Sequence, residues 1–543
     1  MKLSFLSAST MACLLGFSAI GQKGGPEVKN LKNINPNAIK ATMTFLADDL
    51  VEGRQPGTRG FSVASKFVET QMMRIGLKPA MPDGGYLQPV PLKKGIVSEK
   101  LTAMTLGEET LTYGQEFIAS PYMPQEESSV SAPLVFVGYG ISAPEMQYDD
   151  YKGIDVKGKI VVFFNAAPES FPSNQRAYFT TNPVKYNEAI KRGAVGVISV
   201  NFPNDKRSTW EATVRRTKQG TFKWLNKEGQ PNDAFPALKA VATFNPDKAE
   251  KLFAKSGNTF ASAVESTKAG KAESFDLNIQ ATIKVNTQFT SVAGSNLVGM
   301  IEGSDPKLKD EYIVYTAHLD HFGIGAPVKG DSIYNGAHDN ASGVAILLEI
   351  AQTFKNLPEA PKRSIVFTIV TGEEFGLLGS DYFASNSPLN GKIVADLAID
   401  MPFFFHPILD IVPYGAQHSS LNQQVEKTAK ILGLGISPDP FPEQVVFIRS
   451  DHFSFIKKGI PALFIKSGFK TVPSDTIDRS KSDVGWRSTI YHTPQDDMSQ
   501  PFDFDAAATH VKVNYLIGYY VAQDSKSPDW NVGDFFGGKF GKK

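Results

Sequence analysis

Apolar and polar positions change rhythm along this chain. FSVASKFVETQMMRIGL (61–77) puts Phe61, Ala64, Phe67, Val68, Met72 and Ile75 on one face at helical spacing, which predicts an amphipathic helix. The preceding FLADDLVEGRQPGTRG carries Gly53, Gly57 and Gly60 and reads as a bent, close-packed loop. Near 128 the pattern shifts to short apolar runs: LVFVGYGI, GKIVVFF and GAVGVISV are strand candidates, and VKYNEAIKRG is a helix before the third. From 296 strands and helices alternate. NLVGMIEG, EYIVYTAH, SIVFTIV, ADLAID and PALFIKSG read as buried strands. ASGVAILLEIAQTFKN reads as a helix with Val344, Leu347, Leu348 and Ala351 on one face. This alternation predicts an α/β fold: a mixed, largely parallel sheet with helices on both faces, accompanied by a β-rich unit.

The pattern divides the chain into a leader (1–21), a first part of the main domain (22–127), an inserted β-rich segment (128–282), the main part (283–524) and a Gly-rich, flexible tail (525–543). Residues 22–35 are polar and read as a linker. In the leader, Lys2 precedes the apolar run LSFLSASTMACLLGFSAIG, with Ala19 and Gly21 at minus three and minus one before Gln22. That is the form of an export signal, which predicts a periplasmic or secreted protein. The single cysteine, Cys13, lies inside the signal, so the processed chain has no disulfide and no thiolate ligand. No later apolar run approaches the roughly 18 residues of a membrane span, so no stable membrane insertion is expected once the signal is removed. Lysine plus arginine and aspartate plus glutamate stand at 56 each, which gives no argument for nucleic acid or an anionic membrane as a partner.

Candidate chemistry gathers in the second half. All eight histidines lie at or beyond 318. The run EYIVYTAHLDHFG ends a strand at His318 and Asp320, GAHDNASG sets Asp339 where a helix opens, and Glu373 and Glu374 follow SIVFTIV. Asp400 closes ADLAID, and His492 stands in YHTPQDD. Ligands of open α/β sheets collect beyond the carboxyl ends of the strands, so the fold itself delivers these groups to one edge. Two imidazoles and three carboxylates suit a binuclear zinc site, with manganese or cobalt as alternatives. The assignment is His318 and Asp400 to one ion, Glu374 and His492 to the other, and Asp339 bridging. Asp320 is placed to accept the second ring N–H of His318. Glu373 remains uncommitted and suits a general base that takes a proton from water attacking a carbonyl and returns it to the leaving amine.

HLDH, GAHDNASG, TGEEFGLLGS, IDM, SDHFSF and YHTPQDD together resemble the co-catalytic zinc exopeptidases of metallopeptidase family 28, over about 285–520. VEGRQPGTRG is similar to that family's N-terminal signature, and the pattern from VGYGI to GAVGVI resembles a protease-associated domain. The resemblance implies a zinc exopeptidase fold, peptide substrates and hydrolysis of an N-terminal peptide bond. It maps the family's ligands onto His318, Asp339, Glu374, Asp400 and His492, its base onto Glu373, and its histidine-orienting aspartate onto Asp320. His338 departs from the pattern, since members often carry aspartate there. His321, His406, His418 and His510 read as structural; Asp451 and His452 read as near the site, as its support or as plain packing. PFFFH (402–406) reads as core, with the alternative that a ring lines a pocket. The polar stretch 469–490 reads as a lid loop from which Trp486 or Arg487 would touch substrate. A carboxypeptidase for acidic C-terminal residues is the alternative activity, to be favoured if arginines such as Arg449 and Arg487 gather near the metals. A non-catalytic binding protein is the third reading.

Overall fold

The computed structural model describes residues 24–203, 209–270, 273–472 and 477–541, and the expected export signal lies outside them. At its centre four strands run parallel: Ser364–Val370, Glu311–His318, Lys392–Ala398 and Ala462–Ser467 are neighbours in that order. The C-terminal half of Phe275–Ile301 flanks them antiparallel on one side and Asp410–Tyr414 on the other. Nearly every residue of the four strands is buried, the mark of a sheet covered on both faces. Because the strands are parallel, His318, the turn after Val370, the turn after Ala398 and the end of Ala462–Ser467 all reach one rim. Among the described residues no helix is long and apolar enough to cross a membrane.

Helix Arg59–Ile75 forms where the 61–77 pattern predicts it. Thr58 caps its start by accepting the Phe61 N–H at 3.2 Å, and Gly76, at φ +77°, ends it in the left-handed region. Helix Ser342–Lys355 is buried along almost its whole length. The expected linker is partly structured: Pro26–Asn30 is a helix, Asn30 donates to the Thr353 carbonyl at 2.6 Å, and the Asn35 amide donates to Glu349 at 2.7 Å. One side-chain donor, of Asn30, and one backbone donor, of Asn35, dock this short polar run.

A second sheet holds Glu127–Phe136, Ile160–Phe164, Gly196–Val200 and Ala240–Phe244 as parallel neighbours. It also takes in Ala103–Leu106 and Phe117–Ala119, ahead of the change in pattern at 128, because Met104, Leu106 and Phe117 bury into its apolar core. The strand Phe275–Ile301, 27 residues long, runs through both sheets. Thr221–Trp224, within the stretch 128–282 expected to be an insertion, pairs instead with Leu87–Val97 of the first sheet.

The C-terminal segment is not the flexible tail that its glycines suggested. Asp534 caps a helix, Phe535–Phe540, in which Phe536 is fully buried, and the Trp530 indole donates to the Gly459 carbonyl at 3.0 Å. His418 donates through Nδ1 to Asp534 at 2.6 Å and accepts from Asn174 at Nε2 at 2.7 Å, joining the segment to both sheets. Aromatic anchors outweigh the entropy of the intervening glycines. The stretch 469–490 likewise contains a helix, Arg479–Thr489, capped by Asp478, rather than a lid loop throughout.

Candidate metal centre

The rim of the sheet brings the predicted residues together. Three sets place one potential ligand atom each within 4.8 Å of one another: His318, Glu373 and Glu374; His318, Asp339 and Asp400; and His321, Asp339 and Glu374. Asp339 is shared by the second and third sets and faces imidazoles on both sides. Its Oδ1 lies 3.3 Å from His318 Nε2, and its Oδ2 lies 3.2 Å from His492 Nε2. His318 Nε2 also stands 3.6 Å from Asp400 Oδ1, and His492 Nε2 stands 3.2 Å from Glu374 Oε2. The two oxygens of one carboxylate thus face two separate imidazoles, each with a further carboxylate beside it.

The local backbone explains this convergence. Gly336, at φ +59°, turns the chain into the Asp339 loop, where a Cβ would lie 2.1 Å from the Asp339 carbonyl oxygen. Asp496 accepts the backbone N–H groups of His338 and Asp339 at 2.8 and 2.9 Å. Asp320 does the same for the glutamate turn, accepting the N–H groups of Glu373 and Glu374 at 3.1 and 3.4 Å. Its carboxylate stands 4.0 Å from His318 Nδ1, while its own backbone carbonyl is nearer at 3.2 Å. The ring N–H of His318 therefore meets the Asp320 main chain, and the side chain holds the turn instead. Behind the rim lies Arg54, fully buried, donating to the carbonyls of Leu319 at 2.7 Å, Asn335 at 2.5 Å and Gly336 at 3.0 Å, and to that of Leu46.

Burial on its own would raise the carboxyl of Asp339, but the imidazoles of His318 and His492 close beside it hold it well below the usual range. Burial and Asp339 push Glu374 up, yet His492 and His321 bring it down to about 2. Burial opposes protonation of His492, but Glu374 and Asp339 raise it to about 9. Glu373 goes the other way: burial first, reinforced by Asp400 and Glu374 against His318, lifts it well above an ordinary carboxyl.

This chemistry fits bound divalent cations. Asp400 Oδ1 and His492 Nε2 are buried without a hydrogen-bond partner, and every group of the three sets is an imidazole or a carboxylate. Residues 296–516 match the profile of Peptidase family M28. Over that stretch the chain is similar to the family. Mouse aminopeptidase NAALADL1 is 32% identical over 143 residues, which are 25% of this chain and 17% of that protein. Aminopeptidase YwaD of Bacillus subtilis is 32% identical over 132 residues, 24% of this chain and 26% of the relative. Leucine aminopeptidase 1 of Trichophyton rubrum is 24% identical over 382 residues, covering 61% of this chain and 96% of the relative. Against mouse and rat NAALADL1 the matched stretch spans only 17% and 14% of the relatives' length. The solved aminopeptidase from Aneurinibacillus sp. strain AM-1 shares this chain's fold, with a TM-score of 0.53 at 20% identity over 92% of this chain and 97% of that one.

Sequence reasoning set His321 and Lys466 aside, and the structure brings both to the site. His321, read as structural, places Nδ1 2.5 Å from Glu374 Oε1; its signal was the second histidine of HLDH. Arg449 and Arg487, the arginines named in the sequence as candidates for a carboxylate pocket, line a cleft with Asp339, Glu373 and Asp400. Lys466, the one charged residue in the buried strand ALFIKS, lines the same cleft. His338 points away from the centre into a box of Phe403, Phe404, Phe405, Trp486 and Phe502, and burial and Lys466 depress its basicity strongly. Trp486 is part of that box, and PFFFH supplies most of its walls. Asp451 is buried, and the Coulomb field of His318 reaches it. His452 stacks on Phe464 at 5.3 Å. His406 and His510 are buried away from the centre, with Ser467 Oγ 2.9 Å from His510 Nε2.

Proposed function

We propose that this protein is an exported zinc exopeptidase that releases the N-terminal residue of peptides, using a binuclear site. The observation that carries the reading is the division of Asp339, one oxygen toward His318 and the other toward His492. His318 and Asp400 would hold one zinc ion, Glu374 and His492 the other, and Asp339 would be shared. Bound there, the ions supply electrophilic polarisation of a peptide carbonyl and make water acidic enough to attack near neutral pH. The relatives named aminopeptidase support the substrate class.

Glu373 is the general base of this reading. Its backbone N–H is fixed by Asp320, its Oε2 sits 3.9 Å from His318 Nε2, and its side chain faces the cleft. It takes the proton of the attacking water and returns it to the leaving amine nitrogen, for which a raised affinity for protons is an asset. His321 positions Glu374 through its short contact and leaves Oε2 for the centre. The β-rich segment, read as a protease-associated insertion, contributes Phe222, whose ring lies 4.4 Å from that of Phe375, directly after the glutamate pair.

The test joins metal analysis with aminoacyl amides, free and N-acetylated. Glu373→Gln is expected to keep two zinc ions and lose about 10²–10⁴-fold in turnover. Cleavage of N-acetylated forms as fast as free ones would refute aminopeptidase action, and near wild-type turnover in the variant would refute the base. Export is checked by sequencing the N-terminus of the secreted protein, expected at Gln22.

A further inference from the structure

We propose that the strand Thr221–Trp224 positions the turn that carries Glu373, with Phe222 and Trp224 as the two residues that hold it. This rests on the peptidase reading above and adds positioning residues to it from outside the rim. The strand belongs to the stretch 128–282 expected to be an insertion, yet it pairs along Leu92–Gly95 of the first sheet.

From there both side chains reach the elements behind the glutamates. Phe222, 2% exposed, packs with Val90, Leu92 and Leu378, and its ring lies 4.4 Å from that of Phe375, the residue after Glu374. Trp224 meets the Tyr382 ring edge-on at 5.4 Å, and its indole N–H donates to Asp381 Oδ2 at 2.9 Å. Asp381 and Tyr382 belong to the helix Leu378–Ser385, which starts directly beyond the glutamate turn. The other oxygen of Asp381 accepts from Lys457 at 3.0 Å. Burial alone would raise Asp381, but Lys457 and the Trp224 N–H hold its carboxyl below the ordinary range, the response of an acid fixed between two donors. The strand itself is anchored: the Trp224 amide donates to Asn232 at 3.0 Å, and the Leu225 amide to the Pro91 carbonyl at 2.9 Å.

The turn needs such a hold. Leu377 closes it at φ +58°, a left-handed conformation that a residue with a side chain keeps only where its surroundings impose it. The Gly376 and Leu377 amides donate to the Glu373 carbonyl at 2.9 and 3.0 Å, so a shift at the start of the helix passes directly to Glu373. On the rim side Asp320 grips the same turn through the Glu373 and Glu374 amides; Phe222 and Trp224 hold its far side. The rings continue from Phe375 to Phe322 at 6.0 Å and from Phe322 to His492 at 4.7 Å. A general base acts only from a narrow range of positions, so loosening the clamp is felt in turnover and not in substrate binding.

The zinc-loaded full chain is assayed on Leu 4-nitroanilide as wild type, Trp224→Phe, Phe222→Leu, Glu373→Gln, and Glu373→Gln combined with Trp224→Phe. Trp224→Phe removes the indole N–H and keeps a ring, while Phe222→Leu keeps an apolar side chain in the small core. Each is expected to lower kcat about tenfold, with KM within about twofold of wild type and both zinc ions retained. Because the effect passes through Glu373, adding Trp224→Phe to Glu373→Gln is expected to cost no further turnover. Unchanged kcat in both single variants, a loss carried by KM or by zinc content, or an equal loss with and without Glu373 overturns the proposal. If wild type cleaves no aminoacyl substrate, the peptidase reading fails, and hydrogen exchange decides the clamp by itself: faster exchange of the 372–378 amides in Trp224→Phe than in wild type supports it, and equal exchange refutes it.

Discussion

The carboxylate of Asp496 accepts the backbone N–H of Asp339 at 2.9 Å, so the acid that faces both imidazoles is held from behind by another acid 157 residues further on. The pair links YHTPQDD to GAHDNASG directly, and the same carboxylate takes the His338 N–H. Asp496→Ala strands two buried donors, each worth about 1–3 kcal/mol. We expect a lower melting temperature and a zinc affinity reduced about 10–100-fold, read by thermal unfolding and by competition with a chelator.

Arg54 ties the His318 strand end to the Asp339 loop from inside the protein. Its fork reaches carbonyls on Leu319, Asn335 and Gly336, while burial lowers it to about 10 against the pull of Asp496, Asp320, Asp339 and Glu374. Arg54→Lys cannot reproduce that geometry. Denaturant unfolding is expected to show a loss of about 2–5 kcal/mol in Arg54→Lys and more in Arg54→Met, with zinc content falling in both. A fully stable Arg54→Lys with two ions would remove this role.

Gly336 admits no side chain. A methyl group there would collide with the Asp339 carbonyl oxygen and demand a left-handed residue, so Gly336→Ala must shift the loop. Measured zinc stoichiometry should drop below that of wild type even where circular dichroism keeps the native helix and strand content.

Removal of the C-terminal anchor tests the tail. Phe536 is fully buried against His418, at 4.9 Å, and Phe447, at 5.0 Å. Phe536→Ala is expected to cost about 3–5 kcal/mol in urea unfolding. A loss under about 1 kcal/mol would mean that the segment does not stay docked in solution.

Much of this was legible beforehand because period and chemistry are local. EYIVYTAH and SIVFTIV become strands with those same limits, Glu311–His318 and Ser364–Val370, and strand ends announce where polar groups gather. What escaped depends on distant partners. Arg54 looked like one charge in a glycine loop, and only its carbonyl acceptors near 319 and 336 reveal why it is buried. Lys466 was one residue of the strand PALFIKSG, and only the fold sets it in a cavity lined also by Asp483 and Arg487. The tail read as flexible since composition counts glycines but cannot see that Trp530 and Phe536 find sockets. Asp320 lay where the motif put it, yet its carboxylate grips the glutamate turn, a detail that depends on side-chain direction rather than spacing.

The strand Phe275–Ile301 belongs to two sheets, with its pairing unbroken from Gln280 to Leu297 across the junction. Ladder bonds along its length act as a rigid splint between the halves, so one cannot swivel on the other without shearing pairs at the crossing. A crosslink, antibody or point change that bends the far half should therefore be felt at Ser364–Val370, its neighbour, and through that neighbour at the turn bearing Glu373.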